Sequence, residues 1–505
     1  MPVSSESFSK KGTVGLQPES EQCSAEVRGH VNETRIRDRA LAQIVEKADQ
    51  NGFENTYSPY QEFGEYSDWV LVVLQTLDML NVGVGMINRR GRLLFANQFV
   101  KQILRTHDGL EVTPRGKIVY QQSKTRCSLP LTVLQGPTSQ ATASAAFAGN
   151  AAVVVERPSG KRPLALVICR LSRTRCRPQL IEPAGLLFVL DPDLPVKVIE
   201  AGLHQVYGLT VSESRVAQLL MSGSSLQECC EHLRIRPSTA RMHLANLFAK
   251  TGVHRQGQLV SLLLKSLGVV ANSSAGQCKL QPEKSLDEYE LDPHRNYSEM
   301  LTGGLEALDS IDIGLGVINS VGRLLFANRT AEQIIATRDG LEIRQGVLRS
   351  LTRCDPPLYT LVRQAAQAGS DSSSVPSSET VAVPRSSGKR PLTLIIRSLS
   401  RTTSHPNAAR PAAVVFILDP ELPIQPTYST LQPLYGFTAS ECRLARLLME
   451  GNTLDDCCES LEIRASTGRR HLANMFTKAG VKHQGQLISI LLKSVGTVRT
   501  SVMTY

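Results

Sequence analysis

The sequence predicts an α+β multidomain chain in which two antiparallel-sheet domains alternate with two all-α four-helix helix-turn-helix domains. Three observations carry this. First, the chain repeats itself: Asn88-Arg89-Arg90-Gly91-Arg92-Leu93-Leu94-Phe95-Ala96-Asn97 returns as Asn319-Ser320-Val321-Gly322-Arg323-Leu324-Leu325-Phe326-Ala327-Asn328. Ser159-Gly160-Lys161-Arg162-Pro163-Leu164 likewise returns as Ser387-Gly388-Lys389-Arg390-Pro391-Leu392. Second, each copy carries two closely spaced helix starts of the capping-box type, in which hydroxyl and carboxylate satisfy free amides reciprocally. Third, each copy ends in a basic helical stretch with no carboxylate, Arg236 to Arg255 with four Arg/Lys and Arg464 to His483 with five. Gly91 and Gly322 stand 231 residues apart and His243 and His471 stand 228 apart, so a small indel separates two parallel copies. Internal repeats of this kind set the architecture.

In chain order, residues 1–66 are polar and read as an arm with one helical patch from Arg37 to Ala48. The aromatic residues between Phe53 and Tyr66 either fold onto the next domain or belong to a loop. The first sheet domain is expected over 67–198. Val82 to Ile87 and Leu93 to Ala96 read as strands around the Arg89-Arg90-Gly91 turn, and Asn97 to Arg105 has helical spacing. Leu110 to Val112 and Lys117 to Tyr120 read as a short hairpin. An Ala/Ser-rich helical stretch runs to Gly149, and Ala152 to Val155, Leu164 to Cys169 and Leu186 to Leu190 close the domain as strands. The second sheet domain is expected over 298–426, after a linker at 269–297 rich in Ser, Gln, Pro, Asp and Glu. A short polar tail follows at 498–505.

The helical domains are expected over 199–268 and 427–497. Thr210-Val211-Ser212-Glu213 and Ser225-Leu226-Gln227-Glu228 start two short helices, as do Thr438-Ala439-Ser440-Glu441 and Thr453-Leu454-Asp455-Asp456 in the second copy. The first helix of each pair ends near Gly223 or Gly451. The basic helix follows, closed by Gly252 or Gly480 where a left-handed cap is required. A last apolar helix is expected over Gln258 to Leu267 and Gln486 to Val495. On the basic helix, Ala240, Leu244, Leu247 and Phe248 form the core stripe. Ser238, Arg241, Met242, Ala245 and Ala249 lie on another face. A helix with one face in a core and an acid-free basic face suits the major groove of DNA.

These residues resemble the C-terminal DNA-binding domain of LuxR-type regulators. The match runs through Leu209-Thr210-x-x-Glu213, then Thr239, Arg241, His243, Lys250, Gly252 and Val253, with Thr467, Arg469, His471, Lys478, Gly480 and Val481 in the second copy. The chain departs from the family at Arg236 and Arg464, where Ser or Thr usually precedes the recognition helix, and at Gly468, where Val or Ala is usual. The resemblance implies a sequence-specific transcriptional regulator. Its DNA-contacting set is Ser238, Thr239, Arg241, Met242, Ala245, Lys250 and Arg255 with Ser466, Thr467, Arg469, Arg470, Ala473 and Lys478. Arg241 and Arg469 would meet guanine or a phosphate, and Thr239, Thr467, Lys250, Lys478 and Arg255 are candidate phosphate contacts. His243 and His471 sit between faces, where packing competes with contact. The sheet domains resemble PAS sensors, on the Gly-Arg-Leu-Leu-Phe-Ala-Asn turn and the strand order.

The expected partners are double-stranded DNA, with RNA polymerase as a further candidate, and a small-molecule ligand of unread identity in the PAS-like domains. Val84, Met86, Leu94 and Phe95 would line a pocket for it, or simply fill a core. The last helices are expected to pair within one chain, as a pseudo-dimer, through Leu259, Leu262 and Leu263 against Leu487, Ile490 and Leu491; the alternative is a homodimer. The competing function is a protein-interaction module that keeps the fold without binding DNA, and the basic groove faces argue against it.

Composition agrees with this reading. The chain's 505 residues leave room for several domains, its apolar fraction of 41% is ordinary for globular protein, and its net charge of +10 favours a polyanionic partner. Eleven cysteines without metal spacing suggest a reduced, cytoplasmic protein. Cys229-Cys230 and Cys457-Cys458 are expected as buried core. No signal peptide or apolar run of membrane length is evident. Enzymatic chemistry finds no constellation: Gly160-Lys161 and Gly388-Lys389 lack the remainder of a phosphate loop and read as hairpin turns with Lys and Arg facing solvent. No cofactor or metal site is expected, and His107, matched by Arg338, reads as a solvated helix-end residue.

Overall fold

The computed structural model describes residues 63–134, 150–171, 183–194, 200–268, 297–354, 356–368, 378–399, 411–422 and 428–495. The expected Arg37–Ala48 helix, the stretch before Gly149, the tail and all of the linker but Tyr297 lie outside them. The first copy runs α1 (Phe63–Asp78), β1 (Gly83–Asn88), β2 (Leu93–Ala96), α2 (Gln98–Thr106), β3 (Leu110–Val112), β4 (Ile118–Gln122), β5 (Thr125–Ser128), β6 (Asn150–Val155), β7 (Leu164–Arg170) and β8 (Pro183–Leu190). Five helices follow: α3 (Glu200–Tyr207), α4 (Val211–Met221), α5 (Leu226–Leu233), α6 (Pro237–Thr251) and α7 (Gln256–Leu267). The second copy repeats this as α8 (Tyr297–Asp309), β9 (Gly314–Asn319), β10 (Leu324–Ala327), α9 (Arg329–Ala336), β11 (Leu341–Arg344), β12 (Val347–Ser350), α10 (Leu358–Ala368), β13 (Ser378–Val383), β14 (Leu392–Ser398) and β15 (Pro411–Leu418). Its helical part is α11 (Tyr428–Tyr435), α12 (Ala439–Met449), α13 (Leu454–Ser460), α14 (Ala465–Ala479) and α15 (Gln484–Val495).

The chain is thus α+β, with two antiparallel five-stranded sheets of matching order, β2-β1-β8-β7-β6 and β10-β9-β15-β14-β13. Both faces of each sheet are covered, which explains the unbroken apolar runs Gly185-Leu-Leu-Phe-Val-Leu190 and Ala412-Ala-Val-Val-Phe-Ile-Leu418. Leu187 and Val189 turn to a core with Val100, Ile103 and Leu104 of α2, whereas Leu186, Phe188 and Leu190 turn to the opposite face. On that face α1 and α8 pack against one another. Gly304 of α8 lies directly over Val73 of α1, where any side chain would overlap. Val84 and Met86 belong to this core between the copies, with Val73, Leu301 and Leu305, so of the two alternatives for these residues, a ligand pocket or a filled core, it is the core that forms.

Asn97 and Asn328, the last residues of the repeated turn, hold the sheet to its helices. Asn97 Oδ1 accepts from the amides of Val84 at 3.0 Å and Val100 at 3.1 Å, and Nδ2 donates to the carbonyls of Leu77 at 3.1 Å and Val82 at 2.9 Å. Asn328 makes the same four bonds, to Leu315, Ala331, Leu308 and Ile313. A buried amide is stable only with such complete satisfaction.

The helical parts cross over. α3 packs on β13 of the second sheet and α11 on β6 of the first; α7 reaches β14 and β15, and α15 reaches β8. The helices that follow one sheet in sequence therefore rest on the other.

Candidate nucleic-acid interface

Four capping boxes set the helices that carry the basic helix. Thr210 with Glu213, Ser225 with Glu228, Thr438 with Glu441 and Thr453 with Asp456 are all reciprocal. Gly223 and Gly451 turn the chain at φ 94° and 93°, and Gly252 and Gly480 end the basic helices at φ 66° and 63°. Beneath these helices, Cys229 and Cys457 are fully buried and burial pushes both thiols up to about 12. They are inert packing groups, as the sequence suggests.

Ala240, Leu247 and Thr251 of α6 are buried, and Leu244 and Phe248 pack on the same core. Ser238, Arg241, Met242, Ala245 and Ala249 are exposed, Thr239 half so. On α14, Gly468, Met475 and Ala479 are buried, while Ser466, Arg469, Arg470 and Ala473 are exposed and Thr467 half-exposed. Among the described residues Arg241, Arg469 and Arg470 have no protein partner, nor is there an acidic residue in the first turn of either helix. Arg236 and Arg464 occupy the N-caps without a side-chain hydrogen bond, and Pro237 stands in the first turn of α6. The opening amides of both helices therefore stay uncapped by side chains beside an arginine, a favourable place for an anion. His243 and His471 are half-buried between the faces.

Lys250 and Lys478 are exposed but tied to their own domains. Lys250 Nζ donates to Glu213 Oε2 at 2.6 Å and to the Gly208 carbonyl at 3.0 Å, and Lys478 pairs with Glu441 at 2.6 Å. Burial would raise the Glu213 pKa, but the ammonium and the Thr210 amide outweigh it and bring it down to about 2. These lysines clamp the basic helix to α4 and α12.

The two basic helices belong to one body. α7 packs on α15, with Leu259, Leu262, Leu263, Leu487, Ile490 and Leu491 all buried in the shared core. Ser261 Oγ of α7 donates to the Met449 carbonyl at 2.5 Å, and Ser489 Oγ of α15 donates to the Met221 carbonyl at 2.7 Å. This reciprocity makes a pseudo-twofold axis. A cleft of about 470 Å³ opens on it, lined by Arg255, Gln256, Gln258, Asp455, His483 and Gln484 among others. Arg255 thus sits in the cleft between the copies, near Asp456, whose carboxyl is held down first by the Thr453 hydroxyl and amide and then by the Arg255 charge.

Behind the helices, each sheet meets the other copy's helical part at a polar seam. Tyr207 Oη and Ser266 Oγ lie 2.6 Å apart, and Tyr435 Oη and Ser494 Oγ 2.5 Å. Lys265 approaches the Leu422 carbonyl at 3.5 Å, beside the Arg390–Glu421 pair. Burial near Asp193, Arg162 and Asp191 pushes Lys493 down to about 8. The Ser-Gly-Lys-Arg turn is held from below: Arg157 bridges Asp108 at 2.7 Å and Asp191 at 3.0 Å, and Asp108 accepts from Ser159 Oγ at 2.7 Å. Arg385 does the same with Asp339 and Asp419. Arg162, expected to face solvent, pairs with Asp193 at 2.7 Å. The turn itself forms, with Gly160 at φ 74°. His107 is exposed in a left-handed helix cap at φ 48°, and Arg338, one residue past the cap of its helix, is exposed at φ 50°. Among the described residues no cluster of His, Cys, Asp or Glu fits a metal ion, and no helix is long and apolar enough to cross a membrane.

No protein-family profile and no curated protein matches the chain. Solved structures show weak similarity. A phage VqmA–DPO complex is 12% identical with a TM-score of 0.14, covering 40% of this chain and 90% of its own. A Vibrio cholerae VqmA–ligand–DNA complex is 18% identical with a TM-score of 0.16, covering 38% and 86%. An RNA-binding light-oxygen-voltage receptor is 13% identical with a TM-score of 0.20, covering 67% and 95%.

Proposed function

We propose that the chain is a sequence-specific, double-stranded-DNA-binding transcriptional regulator of LuxR type, with two PAS-like sensor domains (67–198 and 298–426) and two helix-turn-helix readers (199–268 and 427–497). The observation that carries the reading is the pair of exposed, acid-free helix faces, Arg241 on α6 and Arg469 with Arg470 on α14, fixed about one pseudo-twofold axis within a single chain. Arg241 and Arg469 reach base edges; Ser238, Thr239, Ser466 and Thr467, with the uncapped helix starts, hold phosphates. Lys250 and Lys478 brace the readers rather than touch DNA. One chain supplies both halves of a two-half-site operator, where a single-reader protein needs two copies. The sensors couple to the readers through the crossed seams, and RNA polymerase is the downstream partner.

The test is selection of bound duplexes from a random pool with the purified chain, followed by light scattering on one selected operator. Enrichment of a motif and one chain per operator are expected, with binding abolished in the Arg241→Ala/Arg469→Ala double variant. No enriched motif, or a double variant that binds like the parent, overturns the reading.

A further inference from the structure

The two readers are not copies in the respect that matters most for recognition. Of the five corresponding positions on the exposed face, Ser238/Ser466, Arg241/Arg469 and Ala245/Ala473 are identical, whereas Met242/Arg470 and Ala249/Thr477 differ. Met242 is 54% exposed, one of five exposed large hydrophobic residues among the described residues. It supports no core contact that would explain an apolar side chain there. Its counterpart Arg470 is equally on the surface, with no carboxylate in its helix and no partner among the described residues. The second helix is also packed differently at one buried position. At Gly468 any Cβ would overlap Cys458 Sγ, so the cysteine fills the place that the Ala240 methyl takes in the first copy. Cys458 is accordingly buried and Cys230 only half-buried.

We infer that the readers discriminate different bases next to a shared one, so that the operator is asymmetric. This rests on the DNA-binding reading above. Arg241 and Arg469 specify the same base in both half-sites. One residue further along each helix, Met242 offers an apolar surface that suits a thymine methyl group. Arg470 offers forked donors that suit the O6 and N7 of guanine. Fusing the copies is what permits the difference, because the pseudo-axis always pairs one Met242 face with one Arg470 face.

The experiment is selection from random duplex with the intact chain and with Met242→Arg and Arg470→Met, each checked for unchanged thermal unfolding. The parent is expected to yield two unlike half-sites, with guanine preferred roughly tenfold or more at one of the paired positions. Met242→Arg makes the selected site symmetric toward guanine, and Arg470→Met makes it symmetric toward thymine. A selected parent site that is already palindromic overturns the inference while leaving the DNA-binding reading intact. So does a Met242→Arg variant that merely binds all duplexes more tightly with a steeper salt dependence, since that marks a phosphate contact. Failure to select any duplex overturns both.

Discussion

Removing the hydroxyls of Ser261 and Ser489 should separate the two readers. Met449 and Met221 are the last residues of α12 and α4, so their carbonyls have no intrahelical donor, and each is met by a serine from the other copy at 2.5 and 2.7 Å. All four partners are buried. A carbonyl left buried without its donor costs about 1–3 kcal/mol, so Ser261→Ala and Ser489→Ala together should destabilise the joined readers by about 2–6 kcal/mol. The assay is urea unfolding monitored by energy transfer between labels on α6 and α14, with the exposed Ser222→Ala as control. Loss of transfer should precede loss of helicity, and on a two-half-site operator the salt dependence should fall toward that of a single reader. A double variant whose transition stays within about 0.5 kcal/mol of the parent refutes the coupling role given to these bonds.

Three further outcomes follow from buried polar groups. Lys250→Met leaves the Glu213 carboxylate, 4% exposed, without its cation, and should cost about 1–3 kcal/mol in thermal or urea unfolding, discounted because the lysine is partly solvated. Because the folded pKa of Glu213 is depressed to about 2, its contribution is full above the unfolded value near 4.5 and is lost as pH falls toward 2, and the variant should lose that acid dependence. Lys493, depressed from 10.5 to about 8, works the other way: its charged form burdens the seam below pH 8, and stability should rise between about pH 8 and 10.5. Lys493→Met should flatten that slope and gain about 1–3 kcal/mol at neutral pH, and calorimetry across this range would expose a wrong sign. Asn97→Asp keeps both acceptor bonds but turns a second oxygen on the Leu77 and Val82 carbonyls, so unfolding should become easier by about 2–6 kcal/mol, and a stable variant would remove the amide from its bracing role.

Much of this was legible from local chemistry. The four capping boxes, the left-handed glycines and the strand at Leu93 to Ala96 depend on neighbours in sequence, and they stand where the residues place them. The leucine stripe of α7 likewise declared its need for a partner, and α15 supplies it within the chain. What depended on distant chain was not legible. α1 begins at Phe63, inside the stretch read as an arm, and its apolar part, Trp69 to Leu77, packs against α8 of the other copy, a partner that no local signal announces. α3 and α11 were missed because each is short and gains its stability from an edge strand of the other copy. The Lys250–Glu213 pair was not legible for the same reason: the two residues lie 37 positions apart. The recurrence of Asp108, Arg157 and Asp191 as Asp339, Arg385 and Asp419 was the one available sign of the buried bridge.

The crossed packing also bears on why two copies would be joined at all. Two separate chains pay the loss of translational and rotational freedom each time they pair, whereas covalently linked copies meet at an effective concentration fixed by the chain between them. The interface can then carry imperfect elements, such as the partly desolvated Lys265 and Lys493 against the Glu421 and Asp193 loops, without dissociating. Linked copies are also free to diverge, since a substitution no longer appears twice in every assembly. Met242 in place of Arg470 is such a divergence on the exposed face, and Ala240 in place of Gly468 is its counterpart on the buried one. A homodimer encodes neither, because any change to one reader changes both.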